Sequence, residues 1–327
     1  MQTTRSKIQQ WISTGAIPQE NINKALTESG LRPSARQWQR FIDQLLLWTG
    51  ALAISFAVIF FFAYNWGGMG RITKFALVEA LIVIALLGYW KYGPVKTTAK
   101  AALMTAAILM GGLLALFGQT YQTGADTWQL FANWALLIFP WVLAGGFAPL
   151  WFVWVALVNV AIYLYFSLFP GIWGFFFSVE ALLLASFLFN IAALALWEFA
   201  ARRVEWLRGR WAVRLISTIA GVNITGLLLQ TIFDWHDTSG WWCVLYPLWL
   251  VAMYVCYRFV VRDLYMLSGM CLSGIVIIAA ILTRLLLNSW EAMGFLLIAM
   301  AVVGLSATSA YWLKRVHREM ENDGINS

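Results

Sequence analysis

Long apolar stretches dominate the chain, and polar residues gather in the gaps between them. Ten stretches approach the length of a membrane span. In the first half they are Gln44–Tyr64, Ile72–Trp90, Ala99–Phe117, Trp128–Gly146 and Leu150–Phe166. In the second half they are Phe175–Phe199, Trp211–Phe233, Trp241–Tyr257, Leu264–Leu287 and Glu291–Leu313. Only "GFAP" separates the fourth from the fifth, and the fifth, about seventeen residues, is at the short limit for a crossing helix. In hydrocarbon every peptide N–H and C=O needs an internal partner, which leaves helices or a closed barrel. The runs are continuous, unlike the alternating ten-residue segments of a barrel. The pattern predicts an all-α, polytopic bundle of ten transmembrane helices over residues 44–313.

Composition agrees. Of 327 residues 61% are hydrophobic and 11% charged, whereas a soluble domain carries about a quarter charged residues. Charge then orients the bundle. Basic residues fall on the tail and on every second connection: Arg5, Lys7, Lys24, Arg32, Arg36 and Arg40; Lys91, Lys96 and Lys100; Arg202, Arg203, Arg208, Arg210 and Arg214; Arg258 and Arg262; Lys314, Arg315 and Arg318. The very short "GFAP" connection carries none. Only Arg71, Lys74 and Arg284 fall on the other side. Positive charge collects on the cytoplasmic face, so both termini are expected there, residues 314–327 being a cytoplasmic tail. Trp66, Trp90, Trp128, Trp206, Trp211, Trp241, Trp242, Trp290 and Trp312 lie near span ends, where an indole suits the headgroup level.

Residues 1–43 form a separate amino-terminal region, with no early apolar core of a cleavable signal peptide. Apolar positions at Ile8, Trp11 and Ile12, then Ile22, Ala25 and Leu26, have helical spacing. Gly15 fits the end of a first helix, Pro18 the start of a second, and Gly30 its end. Pro33 and Ser34 begin a third helix that runs through Trp38 and Phe41 into the first span. This region is a basic anchor on anionic lipid or a docking module for a cytoplasmic partner or a neighbouring membrane subunit.

Three segments carry a family resemblance: "WISTGAIPQENINKAL", the run "LLLWTGALAISFAVIFFFAYNWGGMGRITKFALVEA", and "LFGQTYQTGADTWQLFANWALLIFPW". Over roughly the first half of the chain they resemble the domain-of-unknown-function family 2157, bacterial inner-membrane proteins of many spans. The stretch Gly118–Trp134 is the most specific. The resemblance implies a bacterial inner-membrane location and a plausible place in a multi-component assembly; it supplies no catalytic residues.

Candidate chemistry is sparse. Cys243, Cys256 and Cys271 lie singly in apolar surroundings, and only His236 and His317 could supply imidazole, so neither a metal nor a cofactor is expected. "DWHDTSG", with Asp234, His236 and Asp237, reads as a solvated loop. Motifs for serine hydrolases, zinc proteases and P-loops are missing, and neither an enzyme nor a nucleic-acid partner is expected. Ionisable groups inside the spans are the functional candidates. Glu79 lies about 10 Å below the outer surface, Glu180 about five residues into the sixth span, and Arg284 one turn from the outer end of the ninth. With Gln119, Tyr121 and Gln122 at the lip, they form either an inter-helix polar cluster or an outward-facing cavity. Asn133, Asn159, Asn190, Asn223 and Gln230 are expected to join helices rather than bind solute. Gly118 suits the end of the third span. Asp126 is expected to cap the fourth, with Gln129 completing a loose capping box. Two functions follow: a non-catalytic subunit or scaffold of an envelope assembly, or a small-solute or ion permease around Glu79, Glu180 and Arg284.

Overall fold

The computed structural model describes residues 4–64, 68, 70–168, 178–233, 241–286 and 291–326, and the regular elements among them are helices. Ten are long and apolar enough to cross a membrane, matching the ten predicted runs. The chain divides into two compact units, Met1–Thr120 with Ile325–Ser327, and Tyr121–Gly324.

In the first unit, α1 (Thr4–Ser13), a 3-10 turn (Gln19–Asn21) and α2 (Ile22–Glu28) make the expected small hairpin. Gly15 (φ 73°) and Gly30 (φ 74°) end the two helices in the left-handed region, where a side chain would strain the backbone. α3 (Ala35–Tyr64) opens on a capping box. The Ser34 backbone N–H donates to Gln37 Oε1 at 2.8 Å, and the Gln37 N–H donates to Ser34 Oγ at 3.3 Å. Thirty residues make α3 about 45 Å long, so tail and first span are one unbroken helix. α4 (Arg71–Tyr92) and α5 (Thr97–Tyr121) follow. Small residues let these helices approach one another. A Cβ on Gly112 would meet Ile59 of α3 at 3.3 Å, tighter than ordinary contact.

The second unit holds α6 (Thr127–Gly145), α7 (Ala148–Leu168), α8 (Val179–Ala201), α9 (Arg210–Phe233), α10 (Trp242–Val255), α11 (Leu264–Leu286) and α12 (Glu291–Asn326). Gly146, at φ 57°, closes α6 and allows α7 to begin two residues later. The "GFAP" boundary therefore stands as a tight turn. α9 is the central helix, with Ile216, Ile224 and Leu227 wholly buried against α8, α10 and α11. A π-helical turn, Cys256–Val260, extends α10 and closes with the Val261 N–H donating to the Cys256 carbonyl at 2.9 Å.

Trp242 departs from the interfacial belt expected of it. It is wholly buried, because its indole N–H meets a carboxylate inside the bundle. Trp90, by contrast, is 83% exposed near the end of α4. Trp66 and Trp290 lie outside the described residues.

Candidate functional site

The lip residues come first in the chain. α5 continues through Gly118, which does not end it, so Gln119 and Tyr121 sit on its last turn. The reversal is made instead by Gln122 (φ 45°) and Gly124 (φ 62°). Gln119, Tyr121 and Gln122 are all exposed. Asp126 occupies the N-cap position of α6 as expected, with extended backbone (φ −64°, ψ 150°), but its side chain makes no cap hydrogen bond. Its exposed carboxylate is left to water, and its contribution is reduced to a negative charge beside the helix N-terminus.

The three ionisable groups singled out within the spans have different surroundings. Glu79 is exposed on α4 and forms no hydrogen bond or ion pair among the described residues. Glu180 lies not five residues into its helix but in the first turn, because α8 begins at Val179 on the Ser178 cap, whose Oγ accepts from the Ala181 N–H at 3.1 Å. Glu180 is buried and accepts the indole N–H of Trp242, tying α8 to α10. Arg284, in the last turn of α11, donates to the carbonyl of Ile232. That carbonyl belongs to the final turn of α9, where the helix has no N–H of its own to offer. Arg284 is thus a C-terminal cap supplied by a neighbouring helix, and it forms no ion pair with Glu180 among the described residues. Asp234, His236 and Asp237 lie outside the described residues.

The uncharged intramembrane groups join helices. Asn159 of α7 donates to Asn190 Oδ1 of α8 at 3.2 Å, and Asn190 donates back to Asn159 Oδ1 at 2.6 Å. Ser186 Oγ donates to Asn159 Oδ1 at 3.0 Å and accepts from Asn223 of α9 at 2.7 Å. Each amide therefore finds a partner on another helix, and Asn159 and Asn190 also donate to carbonyls of their own helices, Val155 and Ser186. Asn133 stands apart and is exposed, and Gln230 Oε1 is buried without a partner among the described residues.

The densest polar constellation escapes a reading by individual spans. At the end of the second unit where α9 and α11 begin, Arg210 donates from Nη1 to both Glu198 oxygens at 2.8 and 2.9 Å, and from Nε to Asp263 Oδ2 at 2.9 Å. Arg214 closes a bidentate pair on Asp263 at 3.1 and 3.2 Å. Tyr257 of the π-helical turn donates to Glu198 Oε1 at 3.1 Å. Asp263 also accepts the Tyr265 backbone N–H at 3.1 Å, capping α11. Burial alone would raise the Asp263 pKa; hydrogen bonds from Arg214 and Arg210, with their charges, overcome it and hold the carboxyl below its ordinary value. Beside this network Arg258 reaches Glu319 of α12, itself paired to Arg315 at 3.0 Å. Glu198 and Asp263 sit at helix ends, where an acidic residue among arginines looks like loop composition. Their side-chain partners, 12 to 59 residues away, are what distinguish them.

Ten apolar helices whose polar groups largely close on one another define a polytopic helical membrane protein. Residues 9–151 match the family described as predicted membrane protein (DUF2157), the family that the motifs of the first half resemble. No curated protein and no solved structure matches the chain.

Proposed function

We propose that the protein is a non-catalytic subunit or scaffold of an envelope assembly, seated in the inner membrane with both termini cytoplasmic. Glu79 carries this reading. It is an exposed carboxylate midway along an apolar helix, flanked by Ile72, Val83 and Ile84, which are more than half exposed. An ionisable group at such depth pairs with another polar group or faces a water-filled space. A partner helix bringing a donor to α4 meets that need. The polar groups of α7–α11 add support, being engaged in helix-to-helix bonds that suit a fixed frame.

A photo-crosslinker introduced at position 79 and activated in native membranes tests the proposal. A discrete protein adduct is expected, and its yield should fall when residues 1–40 are removed if the tail assists docking. Adducts to lipid alone would refute the assembly role. The permease alternative is decided by Glu79→Gln and Glu180→Gln: full complementation of the deleted gene by both removes it.

A further inference from the structure

A groove of about 470 Å³ runs between α9 and α11. Ser217, Gly221 and Thr225 line one wall, Gly269 and Ser273 the other, and Trp249 of α10 forms its floor. The floor packs directly on this wall: a Cβ on Gly221 would stand in ordinary contact with the Trp249 ring, at 3.6 Å. A Cβ on Gly269 would meet nothing within 4 Å, so that wall is open. From Ser217 to Leu229 the groove follows thirteen residues of α9, a rise of about 18 Å. One leaflet of hydrocarbon is about 15 Å deep. Its hydroxyls are largely satisfied: Thr225 and Ser273 bond each other at 2.6 Å, Tyr246 meets Ser273 at 2.8 Å, and Thr218 meets Tyr265 at 3.0 Å. Walls whose polar groups are spent on one another suit a hydrocarbon occupant.

The mouth differs. The Arg214 guanidinium lies over the Tyr265 ring, 5.4 Å from its centroid, at the end of the groove. Its Nε and Nη2 hold Asp263, while Nη1 has no partner among the described residues, and 42% of the side chain is exposed. Arg202, Arg203, Arg208 and Arg258 belong to the same helix ends, so positive charge exceeds that of Glu198, Glu205 and Asp263. We infer that this groove is a binding site for one anionic phospholipid, an acyl chain lying along α9 and the phosphate meeting Arg214 Nη1. The site takes its lipid from the leaflet at the basic end. It goes beyond the assembly role and does not depend on it.

Native mass spectrometry of the full chain in detergent, with phosphatidylglycerol or phosphatidylcholine added at equal concentration, tests the inference. Phosphatidylglycerol should be retained as a single copy with about fivefold preference, the effect of one basic side chain at an anionic surface. Arg214→Gln should abolish the preference, and Gly269→Leu, which fills the groove, should lower retention of phosphatidylglycerol about as far. Arg71→Gln, in the other unit and outside the basic tail, should leave both lipids unchanged. Because Arg214→Gln also removes bonds to Asp263, Gly269→Leu decides the matter if that variant does not fold. Equal retention of the two lipids by the unaltered chain would overturn the inference. So would undiminished phosphatidylglycerol on Gly269→Leu, equal competition by soluble glycerol phosphate, or a chain dimer that Gly269→Leu dissociates without any effect of lipid.

Discussion

Asp263 has 2% of its side chain exposed yet faces two guanidinium groups and caps a helix. Its folded pKa is depressed, so the network's stabilisation is complete above the unfolded value near 3.8 and is lost as pH falls through the lower, folded value. Thermal stability in detergent should therefore be flat from pH 5 to 8 for this group and fall only in strong acid, and Asp263→Asn should remove that acid limb. The same variant should cost about 1.5–3 kcal/mol, less than the roughly 3–5 of a fully buried pair, because water reaches Arg214. A denaturation midpoint at pH 7 measures it. Trp242→Phe should cost a similar amount, about 1.5–3 kcal/mol, by removing the charge-assisted bond to Glu180. Neither residue's role could be read locally. Position near a span end suggests the interface for any tryptophan, and what turned Trp242 inward is a carboxylate 62 residues earlier.

Local chemistry did make the helices and their ends legible. Span number, the glycine-terminated hairpin of the tail and the Ser34 start of α3 all follow from periodicity and capping, which act over three or four residues. The exceptions follow the same logic. Gly118 has no conformational demand that obliges a stop, and α5 gains three further residues before Gln122 turns the chain. At Gly146 the demand is real, because φ is 57°, in the left-handed region that a side chain strains. Gly146→Ala should destabilise the second unit by about 1–2 kcal/mol, read as a lowered melting temperature of the detergent-solubilised protein.

For the whole molecule, the alternation of basic connections makes a direct prediction about threading. With the native cysteines replaced, a cysteine at Gly124 should react with an impermeant maleimide added to intact cells, and one at Glu205 should react only after lysis. The reverse result would invert the bundle. The family match ends four residues into α7, so the ion network and the groove lie wholly in the part of the chain beyond it. That network also has a history within each molecule's synthesis. Glu198 precedes Arg210 by twelve residues, but Asp263 follows Arg210 by 53. At about 5–20 residues per second, the ribosome takes roughly 3–10 seconds to make the difference. During that interval Arg210 has Glu198 alone, and α9 waits in the membrane with half of its anchor. The arrival of Asp263 completes the latch, so this network's last ionic bond forms only once translation has reached the start of α11.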